Sequence, residues 1–216
     1  MVRRFPQFTS EYEIHLPELP AGEGGVILWD TVFGSHRPLR IEIGVGNSTF
    51  LIEVARRAQQ FNYLGFEYSR KRVLKFLKKV EAEGLSCIRI LPVNVGMVLH
   101  HSFLPGSVDH FYINHPDPWP KRRHAKKRFV CKENAQSMVR LLRPGGGISL
   151  RTDVAAYAAQ MLEVMDSTEE LINLAGKGCY AAAPIEPYLT AFERMFLERG
   201  LPIHYLEFEK ISGRTT

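Results

Sequence analysis

Residues up to about Pro38 show no period, with proline, glycine and histidine scattered among apolar and charged positions. From Leu39 onward, short apolar runs alternate with segments of helical spacing. Residues 39–46, LRIEIGVG, form a β-branched run ending in glycines, which predicts a strand and a tight turn. Ser48 is placed to cap the next segment, TFLIEVARRAQ, whose apolar positions recur at helical spacing. Residues 62–67 predict a second strand. Ser69 then opens a helix with Val73, Leu74, Leu77 and Val80 on one apolar face. Lys71, Arg72, Lys75, Lys78 and Lys79 lie on its other side, and Gly84 stops it. Residues 87–91, 108–114 and 146–153 predict three more strands, and 203–211 a last alternating one. Helical spacing appears at 96–101, 132–142, 157–165 and 187–200.

This alternation predicts an α/β domain over residues 39–216, preceded by an N-terminal extension over 1–38. Its mostly parallel, twisted sheet of about seven strands carries helices on both faces. A chain of 216 residues accommodates one such domain. In such sheets ligands bind beyond the carboxyl ends of the strands, so the residues that follow each strand carry the functional argument.

The first strand runs into Glu42-Ile43-Gly44-Val45-Gly46. Glycines there permit positive φ and close approach of a ligand, although the third glycine of a dinucleotide fingerprint is missing. The second strand ends in Glu67. A carboxylate roughly 20 residues after a glycine turn is placed to accept hydrogen bonds from ribose hydroxyls. A glycine turn without a full pyrophosphate loop, followed by such an acid, suits a nucleoside ligand lacking a diphosphate, and S-adenosylmethionine is the common one. Asn94, past the third strand, is placed either to bond an adenine edge or to cap a helix.

The fourth strand delivers the most distinctive element, Asn114-His115-Pro116-Asp117-Pro118-Trp119-Pro120. Prolines on both sides of Asp117 fix its backbone and forbid a regular element. The next eight residues, KRRHAKKR, hold six permanent positive charges. A solvated helix face explains that charge but not its place beside a proline-locked acid and a tryptophan. Phosphate binding explains both. The fifth strand ends in Thr152-Asp153, a second acid at the same rim. Thr190-Ala191-Phe192-Glu193 brings a third; its plain alternative is an amphipathic helix with Phe192 and Met195 as core.

Net charge is +5, a modest bias towards anionic partners. Three widely spaced cysteines form no C-x-x-C pair, which argues against a disulfide framework or a structural metal. No apolar run is long enough to span a bilayer, and the basic N-terminus lacks the apolar segment of a signal peptide. These features predict a cytoplasmic protein without membrane or metal partners.

In order, E-I-G-x-G at 42–46, P-D-P-W-x-K-x-R-H at 116–124, T-D at 152–153 and T-x-F-E at 190–193 resemble the bacterial tRNA (guanine-N7-)-methyltransferase family. The resemblance covers about residues 39–210. It implies a Rossmann-like methyltransferase fold, S-adenosylmethionine as methyl donor, and tRNA as the partner of a monomer or homodimer. The reaction implied is methylation of a guanine N7 in the variable loop. It assigns Glu42, Gly44, Gly46, Glu67, Asn94 and Asp117 to the cofactor, with Asp117 also catalytic. Lys121, Asp153, Thr190, Ala191, Phe192 and Glu193 fall to the substrate. Arg123, His124, Ala125, Lys126, Lys127 and Arg128 fall to RNA contact. The chain departs from the family pattern at Asn94 (often Asp), His115 (usually an aromatic such as Phe) and Ala191 (usually Lys). Two other functions fit the same scaffold. One is a methyltransferase for an exocyclic base amine, although its Asn/Asp-Pro-Pro-aromatic motif is matched only loosely. The other is a non-catalytic RNA-binding protein.

Overall fold

The computed structural model of the chain describes residues 10–212. Its centre is a seven-stranded sheet. β1 (Leu39–Ile43), β2 (Asn62–Phe66), β3 (Ile88–Leu91), β4 (Val108–Asn114) and β5 (Leu142–Thr152) run parallel. β7 (His204–Lys210) returns antiparallel to β5, and β6 (Leu171–Asn173) pairs antiparallel with β7. The order is β3-β2-β1-β4-β5-β7-β6. It reverses direction between β1 and β4, and there the strand ends open a crevice.

Both faces of the parallel strands are covered, so these strands read as near-continuous apolar runs. On one face, α2 (Phe50–Arg57) and α3 (Arg70–Glu83) bury Phe50, Leu51, Val54, Val73, Phe76 and Leu77. On the other, α4 (Lys132–Leu141) and α5 (Ala155–Asp166) bury Met138, Leu141, Tyr157 and Met161 against Ile41, Phe111, Ile113 and Ile148. Towards β5 and β7 the first face carries a polar layer instead, roofed by the chain that leads into α6 (Ala191–Glu198). There Arg151 donates to the carbonyls of Glu186 and Tyr188, and Ser149 donates to Glu207.

The first five strands and the last one lie where apolar spacing predicts them, within a few residues. Three details differ. Residues 96–101 do not form a helix: a 3-10 turn, Val95–Met97, is capped by the Asn94 side chain, and Gly96 within it disfavours propagation. β6, three half-buried or exposed residues, has no apolar period to announce it. A five-residue helix, α1 (Trp29–Phe33), lies in the segment read as irregular, and Trp29 and Phe33 are buried. Moreover, Tyr12 accepts from the Ile90 amide and Ile14 donates to the Ile90 carbonyl, which covers the free edge of β3. Residues 10–38 therefore pack onto the domain; Arg3 and Arg4 lie outside the described residues. No helix among the described residues is long and apolar enough to cross a membrane.

Candidate active site at the strand ends

The glycine turn after β1 brings the first residues together. Gly44 has φ 81° with open space on its Cβ side, a combination any other residue would both strain and fill. The turn sits tightly on β2. A Cβ added at Gly65 would lie 2.7 Å from Val45 Cγ1, so only glycine lets the turn approach. Glu67 locks the arrangement: it accepts from the Gly46 amide at 3.1 Å with one oxygen and from the Ser69 amide at 2.7 Å with the other. Ser48 accepts from the Phe50 amide and so starts the turn into α2, whose cap position is Thr49.

A cavity of about 500 Å³ opens beyond β1, β2 and β4. Its wall includes Gly44, Glu67, Asn94, Asp117, Lys126, Lys127 and Arg128, all assigned to function from sequence. Asn114, His115, Trp119, Tyr68 and Arg72 also line the wall. Asn94 caps with its oxygen, which accepts from Gly96 at 3.0 Å. The side-chain NH2 is the group this leaves for a base edge.

Glu42 lies behind this wall, almost wholly buried. It accepts from the Asn114 amide at 2.8 Å through one oxygen, while the other has no partner among the described residues. Burial pushes its carboxyl up to about 7, against the pull of the Asn114 hydrogen bond and the Arg151 charge. The Asn114 oxygen and His115 Nε2 are also buried without partners among the described residues. Three orphaned polar atoms at adjacent strand ends are unusual in a packed interior, and a ligand-binding site is a standard reason for them.

Pro116-Asp117-Pro118 forms a rigid corner between two strained residues, His115 at φ 48° and Trp119 at φ 41°. Left-handed backbone costs a side-chain-bearing residue on the order of 1 kcal/mol, so the surroundings must hold it. They do so from both sides. The His115 amide donates to Arg151 on β5 at 2.9 Å. Arg128 donates to the Pro118 carbonyl at 2.8 Å and to Gln160 on α5, with its guanidinium 4.9 Å from the Tyr157 ring. The His115 ring lies against Phe192, centroids 4.7 Å apart, with Nδ1 3.4 Å from Asp153. Burial holds its imidazole below the usual histidine range. Asp117 stands exposed on the corner.

The basic segment thus divides. Lys121, Arg123, Lys126 and Lys127 are exposed, with Lys127 over the Trp119 ring at 4.8 Å. His124 meets the edge of the same ring, and Ala125 is half-buried. Arg128 is committed to bracing the corner, a use that its charge alone does not announce. The late motif is committed likewise. Thr190 caps α6 and Glu193 closes the capping box, their bonds being 3.1 and 2.7 Å. Glu193 is fully buried and paired with Arg151 at 3.1 Å, so its oxygens are already engaged. Asp153 keeps part of its side chain in solvent. Ala191 opens α6. Phe192 and Met195 are each 37% exposed and lie outside the core. Sequence reasoning passed over Asn114 as a partner of Glu42 and Arg151 as the hub of the late motif. A single amide or arginine inside an apolar strand run is the signal that marks such residues.

Comparison with known proteins places the chain. The model of the family described as "Putative methyltransferase" matches residues 36–206. The tRNA (guanine-N(7)-)-methyltransferase of Pseudomonas putida (strain W619) is 38% identical over 193 residues, covering 89% of this chain and 80% of its relative. That of Nitrosomonas eutropha is 34% identical over 201 residues, covering 92% and 88%. Among solved structures, TrmN from Thermus thermophilus aligns with TM-score 0.56 at 17% identity, over 84% of this chain and 47% of that one. The antibiotic-resistance methyltransferase Kmr aligns with TM-score 0.55 at 14% identity, over 90% and 99%. At such identities the two structures establish the fold.

Proposed function

The chain belongs to the tRNA (guanine-N(7)-)-methyltransferase family, and from that membership and the geometry of the strand ends we propose that it methylates N7 of a guanine in the variable loop of tRNA. The observation that carries the reading is the rigid Asp117 corner, which shares one cavity with a nucleoside-type glycine turn and the exposed Lys126 and Lys127.

The residues present fit S-adenosylmethionine. Gly44 leaves room for a ligand beside the backbone, and Glu67 presents carboxylate oxygens in the cavity wall to ribose hydroxyls. The unpartnered Glu42 oxygen supplies negative charge behind the site. The Asn94 NH2 is the adenine-edge donor. When bound, the cofactor supplies an electrophilic methyl carbon on a sulfonium and leaves as a neutral thioether.

Guanine N7 carries a lone pair and no proton, so its attack on that carbon requires no general base. The protein's task is to hold two partners in line. As the N7–carbon bond forms, positive charge develops on the guanine ring, and the fixed Asp117 carboxylate stabilises it. Its rigidity matters because a preorganised charge needs no reorientation as the charge develops. Asp153, with an accessible carboxylate, accepts hydrogen bonds from the guanine Watson–Crick edge. Glu193, already paired, positions Arg151 and through it the His115 end of the corner. Lys121, Arg123, Lys126 and Lys127 meet phosphates. A guanine held in tertiary contacts must leave its stack to reach such a cavity. The setting implied is cytoplasmic, where tRNA is found.

A tRNA carrying 7-deazaguanine in the variable loop lacks the N7 lone pair but keeps the Watson–Crick edge. Incubated with labelled cofactor, it should accept no methyl group at that residue while the ordinary transcript does. Equal labelling of both would overturn N7 as the acceptor.

A further inference from the structure

The exposed face of α3 plays no part in the site described so far, and its charge is arranged against the helix that carries it. Lys71, Lys75 and Lys78 recur at i, i+4 and i+7, so they form one stripe, and all three are exposed. Among the described residues none of the three makes an ion pair. Their neighbours are otherwise employed: Arg70 pairs with Glu13, and Lys79 donates to the Asn47 carbonyl. The first turn of α3 holds Arg70, Lys71 and Arg72 and no acidic residue, while Glu81 and Glu83 lie at the far end. The helix dipole favours the reverse distribution, and the Lys71–Lys75 pair adds like-charge repulsion at i, i+4. Arg70 and Arg72 find acids inside the fold, but the three lysines do not, and a local rule left broken at them points to a partner outside it.

We propose that this stripe is a second docking surface for the tRNA, taking a stretch of sugar–phosphate backbone across the cavity from the 121–128 segment; the identity of the nucleic acid rests on the proposed function. The topology supports the placement. α3 follows β2 and the 121–128 segment follows β4, with β1 and its glycine turn between them. Arg72, 3.7 Å from Glu67, stands on the cavity wall where the stripe begins. Seven residues at helical rise carry the stripe about 10 Å away from that rim. Lysines suit such contact because an ammonium is a point charge on a flexible stem, so it meets phosphates without reading bases. A membrane surface is a poorer fit: the apolar side chains Val73, Phe76, Leu77 and Val80 are buried, which leaves nothing to insert.

The test is the triple variant K71E/K75E/K78E in the full chain. All three lysines are exposed, and an acid at 71 in the first turn follows the dipole, so the variant should stay folded with a melting temperature close to the parent's. The KM for tRNA should rise on the order of tenfold, with turnover at saturating tRNA and cofactor affinity within about twofold of the parent. The slope of log affinity for tRNA against log salt, read by filter binding, should become shallower by about 2 to 3. An unchanged KM and salt slope in a folded, active variant overturn the proposal. So does a loss of binding to phosphatidylserine vesicles without any loss for tRNA. Parent protein that binds tRNA through this stripe yet transfers no methyl group would count against the proposed function alone.

Discussion

Asp117 owes its fixed backbone to strained neighbours. His115 and Trp119 hold left-handed backbone on either side of Pro116-Asp117-Pro118, which fixes the corner that brings Asp117 to the cavity wall. Removing the charge should therefore harm the chemical step more than binding. Asp117→Ala is expected to lower the single-turnover methyl-transfer rate by about 10²-fold or more, with cofactor affinity changed much less; a rate near the parent's would remove Asp117 from the mechanism. Glu42 offers a pH signature. With its carboxyl pushed up to about 7, a cationic ligand nearby favours the ionised form. Cofactor affinity should tighten from about pH 6 to about pH 8 and level off above, with protons released on binding near neutrality. Glu42→Gln should flatten that dependence in calorimetry. For the ligand-free fold the sign is opposite. A raised carboxyl contributes stability in full below its ordinary 4.5 and loses it as pH rises through about 7. The residue scale is also where sequence said least about His115. Its neighbours, Asp153, Phe192 and the Arg151 carbonyl, come from β5, α6 and the loops beside them, and no local pattern predicts such a meeting.

At the scale of elements, β5 ties the chemistry to the late part of the chain. Arg151 accepts the His115 amide at its backbone, while its guanidinium holds Glu193 and two carbonyls of the 186–188 stretch. Both members of the ion pair are fully buried. Losing one partner leaves an uncompensated buried charge, so Arg151→Met should destabilise the fold by about 3–5 kcal/mol in urea denaturation. An effect under about 1 kcal/mol would show that the late segment is not anchored there. The strands and the larger helices were legible because apolar side chains repeat with the period of the element that buries them. The failures share a cause too. β6 buries too little to leave a period, residues 96–101 yield to a side-chain cap at Asn94, and α1 is five residues long. Charge was legible while its employment was not. Arg128 reads as one more cation of a basic run and also braces Pro118, and Glu193 reads as an acceptor for substrate and is also paired with Arg151.

For the whole molecule, the sheet's reversal point sets where everything meets. β1 carries the glycine turn and Glu42, β2 carries Glu67, and β4 carries the Asp117 corner, so one cavity collects cofactor-type and base-type contacts. Exposed cations approach it from the 121–128 segment and from α3, so an anionic polymer is drawn across the opening. The most direct measurement of the central claim is methyl transfer from labelled S-adenosylmethionine to unfractionated tRNA, followed by nucleoside mass spectrometry and N7-specific chain cleavage. The account predicts 7-methylguanosine as the labelled product, with cleavage at a single site in the variable loop. Label recovered on an exocyclic amine, or no label at all, would contradict it.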